Sequence, residues 1–541
     1  MDSDREKITY FAETDSRHNR NKFGIKADDR SKHVYVIGKT GMGKSTLLEN
    51  MAIQDIQSGN GLVFVDPHGG TAEKLLEYVP KERIDDVLYF APFDMEHPVS
   101  FNVMEDVGPD KRHLVVNGLM SVFEKIWEDA WSARMAYILQ NTLLALLEYP
   151  GATLLMVNRM YTDKVFRNKV VDNVSDVSVR SFWVDEYAKY TDRYSQEATP
   201  AIQNKIGQFA GNPLIRNIIG QAKSSFNLRQ IMDEKKIMIV NLSKGRVGEG
   251  NARLLGSMLI TKIYLAAMSR ADESASTLAK LPQFYLFVDE FQSFADKSFA
   301  DILSEARKYK LNLTMAHQYI EQMEEEVRDA VFGNVGTMIA FRVGAYDADV
   351  LEKEFAPTFL AEDLVNLGLR QIYLKLMIDA VTSPPFSATT LPPIALPEIS
   401  YVDEIKQHSR QTFSKPKSEV EKVITDWHEE GKPVVVPRPA LLKPTLPKPI
   451  PAPIKHEPKV IDIRPAQTVS LKKINEEKNN QRKPDAKHVS ALRDALKAVV
   501  GDKKMTNDQT PMTNVKPVAP PVPKTTTGPS AEELKKILDV S

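Results

Sequence analysis

The 541-residue chain contains no cysteine, which removes disulfide scaffolds, thiolate metal sites and cysteine nucleophiles together. Histidine is scarce, and its 10 residues form no cluster, so a histidine cage for a metal ion is not expected. No uninterrupted apolar run approaches the roughly 20 residues a bilayer crossing needs, and the first thirty residues are polar and charged. The expectation is a soluble, cytoplasmic chain without a transmembrane segment, at most peripheral at a membrane through partners. A formal net charge of −1 excludes an extended basic coat of the ribosomal or histone type. At several times the roughly 100–200 residues of one domain, the chain should hold two or more.

Proline and charge are unevenly spread. Residues 391–541 hold 21 of the 33 prolines, and residues 401–541 carry a net +8 against −9 for the first 400. A Pro/Lys-rich end buries too little apolar surface to offset chain entropy, so residues 396–541 are predicted to form a largely disordered tail. Val489, Leu492, Leu496 and Val499 recur at helical spacing, giving a short helix near 485–500 that either docks a partner or frays.

The remainder reads as α/β. Apolar β-branched runs at 33–37, 62–65, 236–240, 284–288, 312–316, 337–341 and 372–376 alternate with helical patterns, as in a mostly parallel sheet covered on both faces. Between 106 and 234 the stretches 114–128, 133–149, 177–190 and 199–209 show helical periodicity with few strand-like runs, with Trp127 and Trp131 four residues apart on one helical face as expected core anchors. The division predicted is a polar N-terminal segment (1–24), a discontinuous α/β domain (25–105 and 235–395), an all-α insertion domain (106–234) and the tail.

Gly38-Lys39-Thr40-Gly41-Met42-Gly43-Lys44-Ser45 matches the P-loop pattern at every fixed position, with an apolar strand before it and a helix after it. Glycines let successive backbone N–H groups wrap phosphates, and the helix N-terminus adds partial positive charge. Lys44 would reach the β- and γ-phosphates, Ser45 would ligate Mg2+, and Thr46 extends the cradle. The apolar run 284–288 ends in Asp289 and Glu290; Asp289 would hold Mg2+ through water and Glu290 would polarise the attacking water. At the end of the next strand Gln318 is placed as the γ-phosphate sensor, with His317 as its rival. An arginine often stabilises transition-state charge from a neighbouring subunit; Arg307, Arg30 and Arg342 are the candidates. Asp66 stands at a strand end on the ligand side of the sheet, and His68 beside it reads as a turn residue.

Together these residues resemble the coupling ATPases of type IV secretion and conjugation, the TraG/TraD-like group (TraM-recognition-domain type) of the HerA/FtsK P-loop DNA-pump lineage. The resemblance rests on 33–37 running into the glycine loop, on Val65-Asp66-Pro67-His68-Gly69, on Val288-Asp289-Glu290-Phe291-Gln292 and on the interval Arg307 to Gln318; it covers about residues 25–395. It implies a RecA-like fold, ATP with Mg2+, a homo-oligomeric ring (typically a hexamer) and DNA, single- or double-stranded, carried through the pore. It makes Gln318 the sensor and Arg307 the inter-subunit finger, with Arg30 second. The helical insertion corresponds to the part that faces cargo and relaxase or channel proteins. A DNA translocase is the leading expectation; a secretion or pilus-assembly ATPase with protein cargo, and a nucleotide-gated scaffold, are the alternatives.

Overall fold

The computed structural model describes residues 6–15, 20–191 and 199–429. Its strands are β1 (Ile8–Thr14), β2 (Lys22–Lys26), β3 (Val34–Ile37), β4 (Gly61–Asp66), β5 (Val87–Phe90), β6 (Ile237–Asn241), β7 (Phe284–Val288), β8 (Leu311–His317), β9 (Thr337–Ala340), β10 (Gln371–Lys375), β11 (Met377–Ile378), β12 (Val381–Thr382) and β13 (Phe386–Thr390). All but β11 and β12 form one eleven-stranded sheet in the order β2-β1-β13-β10-β9-β3-β8-β7-β4-β6-β5. From β9 to β5 the pairing is parallel; β10, β13, β1 and β2 add an antiparallel flank.

Burial on both faces explains the continuous apolar runs of the parallel strands. Tyr35 and Ile37 of β3 enter one hydrophobic core, and Val34 and Val36 enter the other. The first core continues into the segment between β5 and β6, whose regular elements are helical, including Arg112–Ile126, Ala133–Leu147 and Pro200–Gly211. Trp127 is buried there, stacked on Phe123 at 4.7 Å between ring centroids. The two tryptophans do not share a helical face, because the helix stops at Ile126 and a 3-10 turn, Glu128–Ala130, separates them.

Three features depart from expectation. Residues 8–14 and 22–26, all but the last two placed by sequence in the polar N-terminal segment 1–24, are the edge hairpin β1–β2. Thr9 and Phe11 are buried while Ile8 and Tyr10 face out, an alternation of period two set in a charged surround. β5 and β13 were also not expected; β13 (FSATT) buries only Ala388 and Thr390 and so lacks an apolar run.

The third departure concerns residues 402–429, assigned by sequence to a disordered tail. They form helices Val402–Phe413 and Lys417–Glu429. Ile405 is buried, Ser409 Oγ accepts the Tyr89 N–H at 2.9 Å, and Val420, Ile424 and Trp427 pack into the helical core. The prolines flank these helices (Pro392, Pro393, Pro397, Pro416) rather than interrupt them, so averaged composition hid two amphipathic stretches. The expected helix near 485–500 lies outside the described residues.

Candidate functional site

The glycine loop leaves β3 and enters the helix Lys44–Gln57. Two glycines are dictated by geometry. A Cβ on Gly38 would stand 2.5 Å from Cβ of Phe341, and Gly43 has φ +118°, a conformation side chains resist. Gly38 N–H donates to the His317 carbonyl at 3.2 Å and Lys39 N–H to the Arg342 carbonyl at 2.8 Å, while the Met42 carbonyl accepts the Arg370 N–H at 3.2 Å. The ends of β8 and β9 and the start of β10 thus hold the loop on three sides. The first helical bond runs from Leu47 N–H to the Gly43 carbonyl at 3.0 Å. The N–H groups of Lys44, Ser45 and Thr46 therefore stand outside the ladder at the helix mouth, where an anion is favoured.

Lys44 is 5% exposed, and its Nζ donates to the carbonyls of Gly38 (2.6 Å) and Lys39 (3.3 Å). Burial lowers its pKa, and the charges of Glu290 and Asp289 oppose that. One strand, β8, separates β3 from β7, which brings the end of β7 beside the loop. Ser45 Oγ–H donates to Asp289 Oδ2 at 2.9 Å. Asp289 is 2% exposed; burial raises its pKa, against the Ser45 bond, and the charges of Asp66 and Glu290 raise it further. A hydroxyl and a destabilised buried carboxylate at contact distance fit a Mg2+ ion that brings its remaining ligands on a triphosphate. Among the described residues no group of three or more His, Asp or Glu could hold a metal ion.

Glu290 adopts the left-handed conformation (φ 49°, ψ 49°) just past β7, a strained geometry that for a non-glycine residue costs about 1–2 kcal/mol. Gln292 Nε2 donates to Glu290 Oε2 at 2.5 Å, and Gln292 Oε1 is buried without a partner. Sequence reading gave Gln292 no role; its position two residues past the acidic pair was the only available signal. Gln318 Nε2 donates to Thr40 Oγ1 at 2.5 Å, so its amide reaches the phosphate loop. His317 is instead buried, hydrogen-bonded through Nδ1 to the Tyr35 hydroxyl at 3.0 Å. Both Asp66 oxygens are engaged by backbone, the N–H groups of His68 (2.7 Å) and Ala72 (2.9 Å), and His68 is an exposed turn residue.

The three arginines separate clearly. Arg30 is 1% exposed, pairs with both Asp55 oxygens at 2.9 and 2.8 Å, and lies 3.8 Å over the Tyr285 ring. It is a core ion pair and cannot be offered to a neighbour, which overturns its candidacy as a finger. Arg342 is half-buried at the end of β9, its carbonyl holding Lys39. Arg307 is exposed on the 3-10 turn Ala306–Tyr309 ahead of β8. The whole strand, about 20 Å at its usual rise, separates Arg307 from the loop, so it reaches no phosphate on its own subunit.

Two buried histidines give the fold a pH dependence. Burial holds His33 down to about 4 and His317 down to about 3, the Lys44 charge adding to the second. Both values lie below the ordinary imidazole value near 6.5. As pH falls below about 6.5 the unfolded chain takes up protons that the native state refuses, so stability declines from there towards the folded values. At about pH 5 the loss should be about 2 kcal/mol per histidine, read as a lower urea midpoint than at neutral pH. A midpoint unchanged between the two would contradict it.

A family profile described as "Type IV secretory system Conjugative DNA transfer" matches residues 4–338. Among solved structures, the plasmid coupling protein TrwB in complex with the non-hydrolysable GTP analogue GDPNP gives a TM-score of 0.52 at 17% identity, covering 73% of this chain and 92% of that one. TrwB in complex with ADP and Mg2+ gives 0.51 at 16% identity, over 73% and 98%. The unbound bacterial conjugative coupling protein TrwB gives 0.51 at 15% identity, over 73% and 91%. At these identities the likeness is one of fold. Among curated protein sequences none matches.

Proposed function

The chain belongs to the type IV secretory system conjugative DNA transfer family, and from that premise we propose how its residues run the engine. It is a P-loop ATPase of the DNA-translocating, coupling-protein kind. One observation supports the assignment of roles: the Ser45–Asp289 hydrogen bond, which joins the phosphate loop to the acidic strand end where a nucleotide-borne ion would be held.

On MgATP binding, Lys44 leaves the Gly38 and Lys39 carbonyls for the β- and γ-phosphates, and the N–H groups of Ser45 and Thr46 meet the phosphate chain. Ser45 and Asp289 are the residues that would hold Mg2+, which would supply positive charge to offset that on the phosphate oxygens. Glu290 releases Gln292 and accepts a proton from the attacking water. The water oxygen bonds to the γ-phosphorus as the bond to the bridging oxygen breaks, leaving ADP and phosphate. Gln318, on Thr40, reports the γ-phosphate to β8. Arg307 acts across an interface on a neighbour's nucleotide in a homo-oligomeric ring, a hexamer by family precedent. Residues 106–234 and the C-terminal tail are the surfaces proposed for DNA cargo, relaxase and channel proteins. Among the described residues no helix is long and apolar enough to cross a membrane.

The test is mechanical. Wild-type protein with MgATP should strip a bound obstacle, such as streptavidin on a biotinylated strand, from single- or double-stranded DNA, and Lys44→Ala should not. Displacement equal in the two proteins would sink the motor assignment.

A further inference from the structure

Arg370 stands immediately before β10 and lies beyond the segment matched by the family profile. Its backbone is pinned at both ends: its N–H donates to the Met42 carbonyl of the phosphate loop at 3.2 Å, and its carbonyl accepts the Thr390 N–H at 2.9 Å. Its φ is +63°, a conformation that glycine adopts freely and arginine resists. Such an outlier beside a functional loop points to a use for the side chain. The stem supplies the direction. Arg370 Cγ lies 3.7 Å from where a Cβ on Gly43 would stand, and Phe341 Cε1 approaches the same point at 3.3 Å, so the two side chains flank the glycine immediately before Lys44. The residue is exposed, and among the described residues its guanidinium has no hydrogen bond or ion pair.

We infer that Arg370 is a second cation of the nucleotide site, supplied by the same subunit, which contacts the phosphate chain of MgATP. The inference rests on the nucleotide assignment above. A planar fork with free donors suits phosphate oxygens, which it can engage with two parallel bonds. Arg370 differs in kind from Arg307, which can serve only a neighbour's site.

The test uses Arg370→Gly and Arg370→Met in the full chain, with equilibrium titration of MgADP and MgATP. Glycine relieves the strained backbone, so Arg370→Gly should melt no lower than wild type, which separates lost affinity from lost fold. Both variants should bind either nucleotide about tenfold more weakly, the size of one charge-assisted hydrogen bond. Magnesium pyrophosphate should compete less well against both by a similar factor. Affinities within about twofold of wild type in either variant would overturn the assignment, as would unchanged competition by pyrophosphate. A wild-type protein that binds no nucleotide would instead remove the premise, and the two failures are distinct.

Discussion

Glu290→Gln should bind MgATP nearly as tightly as wild type and hydrolyse it about 10²–10⁴-fold more slowly, the usual worth of a positioned general base. The substitution conserves size, and its amide oxygen can still accept the Gln292 bond now made to Glu290 Oε2. It also leaves the left-handed turn after β7 undisturbed. What disappears is the capacity to take a proton from water. Single-turnover phosphate release beside equilibrium nucleotide binding separates the two terms: the rate should collapse and the dissociation constant should hold. A variant turning over within about tenfold of wild type would place the base elsewhere.

Lys44→Ala should damage both terms. The ammonium sits between the loop carbonyls and the two acidic groups, and a charge-assisted bond of this kind is worth about 1.5–3 kcal/mol. Nucleotide affinity should therefore fall about 10–100-fold. Turnover should drop further, because lysine contacts strengthen as charge develops on the transferred phosphoryl group. There is a second loss. Asp289, pushed up by burial, is drawn back down first by the Ser45 hydroxyl and to a smaller extent by the Lys44 charge, so magnesium dependence should shift modestly to higher concentration in the variant. An unaltered thermal transition would show that these losses are local; unchanged affinity and rate would remove Lys44 from the site.

How much of this was visible in the sequence depends on where each signal is stored. The phosphate loop and the acidic pair are written in contiguous residues with few substitutes, so Gly38 to Ser45, Asp289 and Glu290 could be assigned directly. The parallel strands were legible because burial on both faces demands unbroken apolar runs. Strands β1 and β13 of the antiparallel flank were not, since fewer than half of their residues are buried and neither carries an unbroken apolar run. Arg30 illustrates a different limit. An arginine ahead of the loop strand looks alike in sequence whether it meets a neighbouring subunit or, as here, the buried carboxylate of Asp55; only the packing of β1 and the helix Lys44–Gln57 around it decides. Gln292 and Arg370 were missed for a related reason: one acts through a short local turn, the other through a backbone conformation that leaves no mark on residue type.

The most direct measurement is phosphate release from MgATP by the purified wild-type chain, with and without DNA, beside Glu290→Gln. The expected result is turnover that rises on adding DNA and is missing from the variant under both conditions. Release that ignores DNA, or that persists undiminished without the Glu290 carboxylate, would contradict a DNA-driven ATPase built on this pocket.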